Sequence, residues 1–214
     1  FARFVLPMVP ALLVLGASLH ESLCKGLVSN QRLVGMAVIV GASLLAAQPL
    51  ACSLRLDYLL TRTDTRTLAK QWIEANIPTA AKIAFDWPVH GPPLATAERP
   101  TPFSHAIYDV TTVGGTGLSD HPLAWYDERR FGYLVASSFI YRIPLVDQER
   151  DAERRAFYGS LKQKLDPVQV IRPYGSNLKP RFVFDEIYGP LVSLWQRERP
   201  GPTIEIYRLG DRAR

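Results

Sequence analysis

Two apolar stretches stand at the front of this chain, 4–19 and 33–52, and everything after them has the polarity of a globular protein. The second, from Leu33 to Cys52, holds no charged residue over 20 positions. That is the helical length needed to cross a hydrocarbon core of roughly 30 Å. The first is shorter and carries Pro7 and Pro10 near its start, where a helix best tolerates a missing N–H. The pattern predicts a membrane region over 1–52 whose partner is the lipid bilayer. Its helices fall at about 4–19 and 33–52, and a polar turn at 20–32 joins them. A linker at 53–63 and a globular domain at 64–214 follow. Phe1 stands where a Met would open a chain, which leads us to expect upstream sequence with further spans. A secretory signal has one apolar core of about 7–15 residues, which two long runs fit poorly. Pro49-Leu50-Ala51-Cys52 approaches a lipoprotein cleavage pattern, with Pro49 where an aliphatic residue is usual.

The formal charge of +5 divides into +2 for the membrane region and +3 for the 162 residues after it. No Lys/Arg cluster is interleaved with aromatics on one element, so the charge does not argue for nucleic acid as a partner. Arg129-Arg130 and Arg154-Arg155 read as pairs on solvated helix faces. Both cysteines, Cys24 and Cys52, lie in the membrane region. The globular part therefore uses neither a disulfide nor a thiolate metal site. Arg55, Arg62, Arg66 and Lys70 closely follow the second apolar stretch, and a count of local positive charge places the domain in the cytoplasm.

Within the domain, Asp64 or Thr63 caps a helix running to about Asn76, with Leu68, Ala69, Trp72 and Ile73 on one face. Lys82–Asp86 reads as a short strand, and a proline-rich loop follows from Trp87 to Pro102. His121–Arg130 reads as a helix capped by Asp120. Gly132–Ser138 reads as a buried strand, and Asp147–Leu165 as a helix with Phe157, Leu161 and Leu165 facing inward. Val168–Ile171 is another strand, and Thr203–Tyr207 alternates as a final strand suited to an edge. Strands and helices in alternation predict an α/β layered, Rossmann-like soluble domain behind two N-terminal transmembrane helices.

Gly114-Gly115-Thr116-Gly117 lacks the lysine and spacing of a phosphate loop and reads as a turn. His90, His105, Asp109, Asp120 and His121 are metal-ligand types, but none falls at a recognisable ligand spacing. Asp86-Trp87 and Ser137-Ser138 stand at the carboxyl ends of two predicted strands, where open α/β sheets bind ligands, so they are candidates to share a cleft. The competing reading is that the serines cap the next turn. Tyr141 and Arg142 follow on the same segment, and an arginine there suits a phosphate or carboxylate. Asp185-Glu186 is an adjacent acidic pair whose members would point to opposite faces of a strand. No nucleophile–histidine–acid set can be drawn on these residues.

Arg3-Phe4-Val5-Leu6-Pro7-Met8-Val9-Pro10 is similar to the start of a late helix in GT-C membrane glycosyltransferases. These include the protein mannosyltransferases and the lipid A aminoarabinose transferases. Leu59–Arg66, Trp72–Pro78, Phe184–Pro190 and Arg199–Tyr207 also resemble the C-terminal part of a bacterial relative. The resemblance implies transfer of a sugar from a polyprenyl-phosphate carrier to an acceptor at the outer membrane face. It also implies a multi-pass protein of the plasma (inner) membrane with the domain outside, against the charge count. A folded domain translocates despite nearby basic residues, so the resemblance is preferred. The family's catalytic acid lies in an early outer loop with no counterpart here, so no catalytic residue is carried over. This segment is expected to hold no cofactor, and a divalent metal belongs to the full-length enzyme if one is used. The implied partners are the polyprenyl-phosphate-linked sugar and the missing N-terminal transmembrane region. The candidate substrate-binding residues are Arg3, Asp86, Trp87, Ser137, Ser138 and Arg142; for Arg3 an interfacial anchor is an equal reading. A different class remains open: a non-catalytic membrane-tethered α/β binding module.

Overall fold

The computed structural model describes residues 9–27, 30–86, 90–96, 108–112, 117–146, 151–175, 178 and 193–210. Arg3, Trp87, His105, the Gly114–Thr116 stretch and Asp185-Glu186 lie outside the described residues. The chain divides into two units, Phe1–Arg55 and Leu56–Arg214.

In the first unit, α1 runs over Val9–Leu27 and α2 begins at Gln31, continuing to Leu60. The polar segment expected as a turn is thus largely helical. Glu21 and Lys25 form an i,i+4 ion pair at 2.6 Å, and Ser22 Oγ donates to the Ser18 carbonyl at 2.9 Å. Such pairs hold a helix together through a polar stretch. Among the described residues one stretch, Arg32–Asn76, is long and apolar enough to cross a membrane, and 6% of its apolar window is buried. A turn at 61–64 divides that stretch, and α2 runs through the residues expected as the start of a linker.

The second unit is an α/β domain on a five-stranded mixed sheet. Helix α3 (Thr65–Asn76) starts where Asp64 accepts the Arg66 N–H at 2.7 Å, the cap expected from sequence. The strands are β1 (Lys82–Phe85), β2 (Asp109–Thr112), β3 (Tyr133–Ser137), β4 (Pro167–Ile171) and β5 (Ile204–Arg208). Their order across the sheet is β2-β1-β3-β5-β4. β1 pairs in parallel with β2 and β3, while β5 runs antiparallel to β3 and β4. β5 is therefore interior and not an edge strand. Its alternation misleads because Glu205, the polar position, faces protein: its carboxylate accepts from Tyr141 Oη at 2.9 Å and Lys162 Nζ at 3.0 Å.

Helices α4 (Leu123–Glu128), α5 (Ser138–Val146) and α6 (Ala152–Lys164) complete the domain. The helix expected over Asp147–Leu165 is α6, described from Ala152, and α5 is a further helix that starts directly at the end of β3. Asp120 does not cap α4; it closes a 3-10 turn at Leu118–Asp120, and Pro122 precedes the helix. Strand alternation sorts the apolar residues to two faces. Ile83, Phe85 and Val135 pack with Ala69 and Ile73 of α3, whereas Ala84, Leu134 and Ala136 pack with Tyr126, Ile140 and Leu161. The sheet is buried between helical layers on both sides.

Candidate functional site

Neighbouring strands β1 and β3 are parallel, and the chain leaves their carboxyl ends in opposite directions across the sheet. A crevice between such ends is where open α/β sheets hold ligands. Here Asp86, the residue after β1, closes it. Asp86 Oδ2 accepts the Ser137 N–H at 2.8 Å, and Oδ1 accepts the Leu118 N–H at 2.9 Å and Tyr158 Oη at 2.7 Å. The residue is fully buried. Burial pushes its carboxyl up to about 6, against the opposing pull of the two N–H groups, the Tyr158 hydroxyl and the charge of Arg154. The Tyr158 hydroxyl is pushed up in turn, by burial first and then by Asp86.

Gly117 makes this closure sterically feasible. Its φ is 87°, and a Cβ there would stand 2.6 Å from Asp86 Oδ1. The last glycine of the Gly114–Gly117 stretch is thus required by the close approach of a carboxylate. Tyr126 Oη donates to the Leu118 carbonyl at 2.7 Å, so the 3-10 turn is fixed through both its N–H and its C=O.

Asp86 and Ser137 are brought together as the strand-end argument expected, but as a structural lock. Ser137 Oγ is buried with no hydrogen-bond partner among the described residues. Ser138 turns the other way: its Oγ accepts the Thr203 N–H at 2.9 Å and its N–H donates to the Thr203 carbonyl at 2.9 Å. Arg142 lies half-buried on α5. Among the described residues no three His, Cys, Asp or Glu side chains form a group fit for a metal ion. His90 packs edge-on against Phe139 at 5.6 Å, and burial, aided by Arg66, holds its imidazole below the usual range.

An open groove of about 510 Å³ lies on the far side of the 3-10 turn. One wall is Ser119–Ala124; the other is the face of α6 bearing Glu153, Phe157, Ser160 and Lys164. The His121 ring stacks on Trp125 at 3.9 Å, and the Arg129 guanidinium covers Trp125 at 4.1 Å. The Trp125 ring is thus covered by its own neighbours, and what the groove lining offers a ligand is hydrogen bonding, from the carboxylates of Asp120 and Glu153, the hydroxyls of Ser119 and Ser160 and the Lys164 ammonium. Sequence reasoning missed this groove because Ser160 and Lys164 meet Ser119 and Asp120 only through the packing of α6. The one signal was Asp120-His121, weighed as metal ligands.

Comparison of the chain with protein-family models, with curated proteins and with solved structures gives no match.

Proposed function

We propose that this chain is the C-terminal segment of an integral-membrane glycosyltransferase of GT-C type. It moves a sugar from a polyprenyl-phosphate carrier to an acceptor at the outer face of the plasma membrane. α1 and α2 are two of several spans, the α/β domain is extracytoplasmic, and its parallel β2–β1–β3 half is the Rossmann-like part. One combination supports the reading: a helix long and apolar enough to cross a bilayer precedes a domain with an open groove lined by carboxylates, hydroxyls and an ammonium, groups able to hydrogen-bond a sugar. The groove, and not the sealed Asp86–Ser137 crevice, is then the surface that shapes the acceptor site. Arg3 and Arg142 are the cations suited to a carrier phosphate, and Trp87 is kept as a candidate substrate-binding residue.

The test is transfer of labelled sugar from a polyprenyl-phosphate donor by membranes containing the full protein. Glu153→Ala and Ser160→Ala should lower transfer by raising the acceptor KM, with kcat little changed. The chain of residues 1–214 alone should transfer nothing. Equal transfer by membranes lacking the protein removes the reading.

The closed state of Asp86 favours a second reading, a membrane-tethered binding module that holds a cell-envelope glycan in the same groove. Glycan binding lost in Glu153→Ala, in a protein that supports no transfer, selects it.

A further inference from the structure

The buried carboxylate of Asp86 is connected to the open groove. Tyr158 is fully buried on α6, and its one hydroxyl proton goes to Asp86 Oδ1 at 2.7 Å. The Tyr158 oxygen in turn accepts a hydrogen bond from the Ser119 hydroxyl. Ser119 belongs to the 3-10 turn and lines the groove, with Glu153, Ser160 and Lys164 on the other wall. A relay of three groups thus runs from the interior to the groove, and each hydroxyl proton in it points inward. A hydroxyl has one proton and two lone pairs, so Ser119 offers the groove acceptor capacity alone while Asp86 is ionised.

Proton uptake by Asp86 reverses this order. Its carboxylate faces three donors, the Leu118 N–H and Tyr158 Oη at Oδ1 and the Ser137 N–H at Oδ2. The two backbone groups have no lone pair to receive a carboxyl proton. Ser137 Oγ makes no hydrogen bond among the described residues, so it partners neither oxygen. Tyr158 Oη is the group placed to accept the new O–H, and to do so it sends its own proton on to Ser119. The charged and titratable groups facing Asp86 are Arg154 and Tyr158 of α6, Tyr126 of α4 and Tyr207 of β5. Burial raises all three phenols, which stay protonated, and Arg154 favours the ionised carboxylate. The carboxyl, pushed up to about 6 by burial, is the group of this cluster that changes charge near neutral pH.

We propose that Asp86 and Tyr158 are positioning residues that set the hydrogen-bond polarity of Ser119: ionised Asp86 makes Ser119 an acceptor in the groove, and protonated Asp86 makes it a donor. One proton enters at Ser119 Oγ and two shift along existing hydrogen bonds, from Ser119 to Tyr158 and from Tyr158 to Asp86. In the first state Ser119 joins the carboxylates of Asp120 and Glu153 in receiving the hydroxyl or ammonium hydrogens of a ligand. In the second it joins Lys164 in donating to a ligand carboxylate or phosphate. The inference rests on the groove as the ligand surface, which both readings above share, and not on transfer chemistry.

Ser119→Cys places an S–H stretch, which absorbs in an otherwise empty infrared window, at the groove end of the relay. The full chain in detergent is titrated from about pH 8 to about pH 5, with the wild-type protein and its Cys24 and Cys52 as background. The Asp86 carboxyl band, identified by its loss in Asp86→Asn, should appear as pH falls. The S–H band should shift with the same midpoint, as its hydrogen leaves Tyr158 for the groove. Tyr158→Phe should abolish the S–H shift and keep a carboxyl titration, displaced upward by the lost hydrogen bond. His121→Gln, which removes the imidazole on the groove wall, should change neither band. An S–H band that stays still while Asp86 titrates, or a shift that survives Tyr158→Phe, overturns the proposal, as does an Asp86 band that does not titrate in this range. Where Tyr158→Phe does not fold, agreement or disagreement of the two midpoints decides. No sugar donor or acceptor enters these measurements, so a failed transfer assay and a failed relay are read separately.

Discussion

At Gly201 the backbone takes φ 99°, and a Cβ there would collide with Thr65 Oγ1 and Asp64 Oδ1. Both the left-handed conformation and the space demand glycine. Gly201→Ala should destabilise the domain by roughly 3 kcal/mol, read as a lowered denaturation midpoint in detergent. Ser137 presents the opposite case. Its buried hydroxyl has no partner among the described residues, so Ser137→Ala should raise stability by about 1 kcal/mol. A loss of stability would show that the hydroxyl is satisfied by a bound group. Asp86 titrates with folding. Its carboxyl is raised to about 6 by burial, so the folded state holds its proton more tightly than the unfolded chain does. The stabilisation is complete below the ordinary carboxylate range near pH 4 and is lost as pH rises through about 6, a change of about 3 kcal/mol. Asp86→Asn should remove this decline between pH 4 and 6.5. It should also weaken the fold, because both Asp86 oxygens accept from donors and an amide N–H₂ in place of one of them has no lone pair to offer.

At the scale of elements, the segments Leu59–Arg66 and Arg199–Tyr207 meet in space. Thr65 is fastened to Pro200 and Pro202, so their shared role visible here is to seat α3 on the sheet. In the first unit, His20 of α1 lies over Gly41 of α2, leaving no room for a Cβ. Close helix contact through a glycine is a packing device of membrane helices. Gly41→Ala should loosen this contact, His20→Ala should relieve it, and the pair should couple by about 1 kcal/mol in a double-mutant cycle. Additive effects would separate the two residues. Boundaries shifted from expectation where side chains gave local support: the Glu21–Lys25 pair carried α1 past its apolar run. α5 escaped notice because Phe139, Ile140 and Tyr141 continue the apolar run of β3 and show no change of period at the junction.

For the whole molecule α2 carries the candidate membrane-spanning stretch, and its leucines at 44, 45 and 50 are exposed. An arginine at the centre of such a span costs about 3 kcal/mol on insertion. Leu44→Arg should shift part of the chain into the alkaline-soluble fraction, and Val40→Arg with Leu44→Arg most of it. An unchanged membrane fraction would assign anchoring to another segment. The domain itself should keep its unfolding transition in both variants, because no core residue of the sheet is altered.

Composition and periodicity were enough for the coarse plan: an apolar helix at the front, α3 with its cap and buried face, four of the five strands to within a residue at each end, and an α/β class. Those features depend on neighbours within one or two turns or on alternation along one strand, which a linear chain displays. Only the tertiary structure decided the sheet order, the interior place of β5 and the fate of Asp86. A carboxylate at a strand end reads the same whether it faces a cleft or a wall. What settled it was Gly117, Tyr158 and Leu118 arriving from 31 to 72 positions away and excluding water from both oxygens.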